Sequence, residues 1–105
     1  MKAGEVSERF LGRYVAVRTT DDTPKNPDVY FGKLTDISSE DGGCIVLNPG
    51  IPPEEAIALY KLIKKIAISA QKTNEGLEGI VDRYGREIPV SLRDIASIER
   101  GFILH

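Results

Sequence analysis

Tryptophan is absent from the sequence, and histidine, cysteine and methionine occur once each. The single histidine, His105, is the last residue, where chains are more often unordered than catalytic, so no imidazole acid or base is expected. The one cysteine, Cys44, excludes an intramolecular disulfide and fits a reducing compartment. It sits in an apolar run, which points to a packed thiol rather than a nucleophile. No apolar run approaches the ~20 residues of a membrane span. The first residues also lack the basic-then-apolar layout of a signal peptide, so a cytoplasmic protein with no membrane partner is expected. Metal-ligand spacing, a phosphate loop and a dinucleotide fingerprint are all missing, and neither metal nor cofactor nor catalytic residue is expected. The formal net charge is −2, which argues against broad affinity for nucleic acid and requires any such site to be local.

What is present suits one domain over residues 1–105. That length buries about 65% of the surface the unfolded chain exposes, so one core suffices without a metal or disulfide staple. The chain is organised around Val29 to Leu47, two runs of β-branched and aromatic residues joined by the turn residues Glu40-Asp41-Gly42-Gly43. Gly32 interrupts the first run and predicts a bend or bulge. Upstream, Ser7 to Leu11 reads as one helical turn that folds Phe10 and Leu11 onto the core and stops at Gly12. Tyr14 to Thr19 alternates as a first strand, and Asp21 to Asp28, with Pro24 and Pro27, is a loop.

Asn48 to Pro53 reads as a turn that leads into an amphipathic helix over about 53–70, with Pro53 at its first position and Glu54 and Glu55 in its first turn. Ala56, Leu59, Leu62, Ile63, Ile66, Ala67 and Ala70 form its core stripe. Residues 65–70 also fit a strand, since Ile66 and Ile68 alternate with smaller residues. Opposite the stripe, Lys61, Lys64 and Lys65 gather with Ile57 and Ile68, a face that is either merely solvated or suited to a partner. Gln71 to Glu78 reads as a loop, and Gly79 to Arg83 and Glu87 to Leu92 as a hairpin about Tyr84-Gly85. Within it Ile88, Val90 and Leu92 share a face, and Pro89 favours a sheet edge. A short helical turn at Arg93 to Ile95 precedes closing strands over Ala96 to Arg100 and Phe102 to Leu104. The acidic pairs Asp21-Asp22, Glu40-Asp41 and Glu54-Glu55 sit where turns and helix starts favour acids, and read as structural.

The fold class is therefore mainly β, a small barrel of about five strands with a short N-terminal helical turn and an inserted amphipathic α-helix. Tyr30-Phe31-Gly32-Lys33-Leu34-Thr35-Asp36 resembles the first motif of the Sm-like family of SH3-like barrels, with its aromatic, Gly and Asp. Ile98-Glu99-Arg100-Gly101-Phe102-Ile103 is similar to that family's second motif, in which an Arg-Gly pair separates the last two strands. Ser38 and Glu40 stand where RNA-binding members place an aromatic or apolar residue and an Asn. Alternatively Ile88 to Ile98 closes the barrel and Arg100-Gly101 is a tail, as in other SH3-like modules.

The resemblance implies a non-enzymatic module that forms a homo-oligomer, a ring or a dimer, and binds RNA. Asp36 and Arg100 would lie together at a shared loop end, as an RNA site or as a structural tie, with Lys61, Lys64 and Lys65 as further nucleic-acid-binding candidates. The alternative is a structural or protein-interaction barrel that assembles through strand edges and meets a protein partner on the outer face of the helix.

Overall fold

The computed structural model describes residues 6, 8–67 and 73–101, and the side chains of all of these except 60, 62–67 and 73–77. Five strands, β1 (Tyr14–Thr19), β2 (Val29–Ser38), β3 (Cys44–Ile51), β4 (Arg86–Ser91) and β5 (Ile95–Arg100), form one antiparallel sheet in the order β4-β3-β2-β1-β5. Helices α1 (Pro53–Ala67) and α2 (Thr73–Tyr84) are both inserted between β3 and β4, and 3-10 turns span Glu8–Phe10, Glu40–Gly42 and Leu92–Asp94. Among the described residues the sheet is open: β4 and β5 are its two edges and do not pair with each other, so the closed barrel expected from the sequence is not formed.

Both faces of the sheet are apolar, and the alternation along β1 shows why. Val15 and Val17 point into one core with Leu34, Ile45, Leu47, Val90, Leu92 and Ile95, while Ala16 points into the other with Val29, Phe31 and Ile51. The first core is sealed by Val6 and Phe10 from the N-terminal segment, the second by Ala56 of α1 and Val81 of α2. A strand covered on both faces reads as a continuous apolar run, and each fully buried Val, Leu, Ile or Phe contributes about 1.5–3 kcal/mol relative to exposure.

Strand β3 changes face midway. Between Leu34 and Gly32 strand β2 advances two residues while β3 advances three, from Leu47 to Gly50, so one extra residue is absorbed at Asn48-Pro49. Leu47 consequently enters the first core and Ile51 the second. The expected turn over Asn48 to Pro53 is thus a bulged strand as far as Ile51, because a bulge uses the same Asn-Pro-Gly chemistry as a turn. Gly32 pairs with Gly50 there, and a Cβ on Gly32 would lie 2.5 Å from the Pro49 carbonyl oxygen and 2.8 Å from the Gly50 Cα. The bend or bulge expected at Gly32 is met by this register shift beside it, where two backbones cross closely.

Helix α1 begins at Pro53 as the sequence predicts, with the N–H groups of Glu55 and Ala56 donating to the Pro52 carbonyl. Its predicted end, 68–70, lies outside the described residues, as do Ser7 and the strand predicted over Phe102 to Leu104. The loop expected at 71–78 and the strand at 79–83 are instead α2 where described. Ile80, Val81 and Tyr84 follow Leu77 at helical spacing, and burial of Val81 with partial burial of Ile80 offsets the ~1 kcal/mol that each of Gly76 and Gly79 costs a helix. The predicted hairpin at Tyr84-Gly85 is the end of this helix, where the Gly85 N–H donates to the Val81 carbonyl at 2.7 Å. Leu11, expected in the core, is 42% exposed, because the 3-10 turn carries Phe10 inward and Leu11 outward.

Candidate nucleic-acid interface

The N-terminal turn is stitched to the sheet by its backbone. The N–H of Gly12 donates to the Leu34 carbonyl at 2.8 Å and the N–H of Leu34 to the Arg13 carbonyl at 3.0 Å. Gly12 adopts φ +77°, which lets the chain reverse between the turn and β1. On the other side of β1, Arg100 pairs with Val15, and Gly101, at φ +83°, donates its N–H to the Tyr14 carbonyl at 2.9 Å. These bonds deliver Arg9, Arg13 and Arg100 around one open hollow of about 400 Å³, with Phe10 as its apolar wall. A second hollow of about 480 Å³ is lined by Gly12, Arg13, Tyr14, Glu78, Arg100 and Gly101, so Arg13 and Arg100 border both.

Tyr14 anchors that second hollow. Its hydroxyl donates to the Asp82 carboxylate on α2. Partial burial, then that hydrogen bond, then the negative charges of Asp82 and Glu78 push its pKa up to about 12, so it remains a neutral donor near neutral pH. Three arginines beside a neutral ring and one carboxylate can hold an anion next to a flat or apolar group.

Of the residues singled out in the sequence, Arg100 lies in the hollow. Asp36 is exposed on β2, where its carboxylate accepts the Ile37 N–H at 2.9 Å. Arg100 and Asp36 point toward the same end of the sheet, but β1 runs between their strands, and Asp36 lies four residues beyond Gly32, the partner of Val15. Lys61 is exposed on α1, whereas the side chains of Lys64 and Lys65, and all of Ile68, lie outside the described residues. Ile57 is half-buried. Tyr30 packs against the first core, and burial followed by the charges of Asp28, Glu54 and Asp94 raises its pKa. Tyr84 is 60% exposed at the end of α2, with the Arg83 guanidinium 5.4 Å from its ring centre.

Arg9 and Arg13 were not singled out from the sequence, since no motif spacing marks them. The available signal was the Gly12-Arg13 pair before β1, which mirrors Arg100-Gly101 after β5. Arg18, by contrast, is structural: it is paired at 3.2 Å with both Asp22 and Glu99, and Asp22 also accepts the Asp28 N–H at 2.8 Å, which holds the 20–28 loop to the sheet. Cys44 is a half-buried free thiol. Among the described residues no group of His, Cys, Asp and Glu is placed to hold a metal ion, and no helix is long and apolar enough to cross a membrane.

Comparison with protein-family models, with curated proteins and with solved structures finds no match to this chain.

Proposed function

We propose that this chain is a non-enzymatic, cytoplasmic RNA-binding module of Sm-like or SH3-like type that self-associates. The observation that carries this reading is the convergence of Arg9, Arg13 and Arg100 on one hollow in a chain whose net charge is −2. Guanidinium groups present planar forks that match phosphate oxygens two at a time, and they stack on bases. Phe10 adds an apolar surface at the same place. The strand order, the N-terminal turn and the bulged β2–β3 pair support the family likeness.

Fluorescence anisotropy with short single-stranded RNAs tests the proposal. Arg13→Ala and Arg100→Ala are each expected to weaken binding about tenfold, the scale of one charge-assisted hydrogen bond. The dependence of log K on log salt should flatten by about 0.7 per phosphate contact removed. Wild-type protein that binds no RNA overturns the reading.

The open β5 edge favours a second reading, a structural module that meets its partners through that strand edge and the exposed face of α1 around Lys61. Unaltered assembly and partner binding in the arginine variants, without RNA, is the outcome that selects it.

A further inference from the structure

We infer that the two adjoining hollows at the β1–β5 end of the sheet hold a single guanine nucleotide, with its phosphate among Arg9, Arg13 and Arg100 and its base on Glu78. This rests on the RNA reading above and narrows it to one base. The two hollows are joined through Arg13 and Arg100, and their chemistry differs. Among the described residues the first is lined by three arginines and no carboxylate. The second offers a carboxylate, Glu78, beside the ring of Tyr14 and the backbone of Gly12 and Gly101. Each hollow, at about 400 and 480 Å³, is on the scale of pockets that take small ligands.

The identity of the base follows from what a carboxylate can accept. Glu78 makes no ion pair among the described residues, and Asp82, one helical turn on, is already engaged by the Tyr14 hydroxyl. A free carboxylate has two acceptor oxygens and no donor. Guanine alone presents two adjacent donors, N1–H and the N2 amino group, to such a pair. Uracil offers one N–H flanked by two carbonyl oxygens, while adenine and cytosine each set one amino group beside a ring acceptor that a carboxylate repels. Two parallel hydrogen bonds to a carboxylate therefore select guanine over the other three bases.

Anisotropy titrations with a uridine hexamer and with the same hexamer carrying one central guanosine, alongside competition by GMP and UMP, test the site in RNA and in the free nucleotide separately. The guanosine hexamer is expected to bind about tenfold or more tightly than the uridine hexamer, the scale of one bidentate base contact. GMP should compete better than UMP by a similar factor. Glu78→Gln, checked for an unchanged thermal midpoint, should bring the two hexamers within about twofold of each other, because an amide supplies one donor where two acceptors are needed. Glu78→Asp, which keeps the charge but withdraws it by one methylene, should narrow the preference as well. Equal binding of the two hexamers by the wild type, with both still weakened by Arg13→Ala, overturns the guanine site and leaves the RNA reading standing. A Glu78-dependent preference for GMP with no binding of either hexamer overturns the RNA reading and keeps the guanine site.

Discussion

Tyr14 on β1 donates its hydroxyl proton to Asp82 on α2, joining residues 68 positions apart and holding the second helix against the sheet beside the arginine hollow. Ala16 of β1 and Val81 of α2 also belong to the same core. Sheet, helix and candidate site thus share one polar fastening.

That fastening has a pH signature. The Tyr14 pKa, at about 12, stands above the ordinary value of 10.0 that it regains on unfolding, so the folded state holds the proton more tightly. Its stabilising effect is complete below about pH 10 and is lost as pH rises toward 12. Tyr14→Phe is expected to cost about 1 kcal/mol at pH 7, the scale of a partly exposed hydrogen bond to a charged group. The variant should also lose less stability than the wild type between pH 10 and 11.5. Urea denaturation at the two pH values checks this; identical slopes with pH in both proteins remove Tyr14 as the source.

Three glycines predict three different responses to alanine. At Gly32 the added Cβ would meet the Pro49 carbonyl at 2.5 Å and the Gly50 Cα at 2.8 Å, both of them backbone, and a loss near the upper end of about 1–3 kcal/mol is expected. At Gly12 the space is open but φ is +77°, so the strain of a left-handed residue remains, about 1 kcal/mol. At Gly79, exposed within α2 with nothing in reach of a Cβ, alanine should instead stabilise by about 0.5–1 kcal/mol. Thermal midpoints of the three variants give the order directly. Destabilisation by Gly79→Ala contradicts a helix at that position.

Strand β1, the hairpin of β2 and β3, the start of α1 and the 3-10 turn after β4 were legible because each has a local cause. Val15 and Val17 alternate, Gly42 and Gly43 turn, Pro53 with two acids opens a helix, and Pro89 belongs on an edge strand. Helix α2 was hidden because Gly76 and Gly79 dilute its apolar spacing, and its stability comes from Val81 joining the core that holds Phe31 and Ile51, which no local window contains. The bulge at Asn48-Pro49 was hidden for a similar reason, since only pairing with Gly32 distinguishes it from a turn. Of the arginine site, Arg100 was readable from its Gly neighbour. Arg9 and Arg13 join it only because the Gly12 and Leu34 backbones bond across the sheet end.

The proposed self-association has its own test at the edge strands. On β4 the ladder partner of Val46 is Pro89, which has no N–H, and Arg86, Glu87 and Pro89 are all exposed, features that discourage strand addition. On β5, Ala96 is exposed and falls between Ser97 and Ile95, which pair with Arg18 and Thr19, so the ladder is irregular there, and the charged residues of the strand, Glu99 and Arg100, lie at its other end. The Ile95 to Ile98 stretch of β5 holds neither charge nor proline and is the better template for a second chain. Association is therefore expected to involve β5, and Ala96→Lys should disrupt it while changing monomer stability by no more than about 0.5 kcal/mol, as exposed substitutions do. Light scattering across a dilution series reads the outcome as a mass that is a multiple of 11.5 kDa in the wild type and falls toward 11.5 kDa in the variant. A wild-type mass of 11.5 kDa at every concentration removes self-association, and an unchanged multiple in Ala96→Lys moves it away from β5.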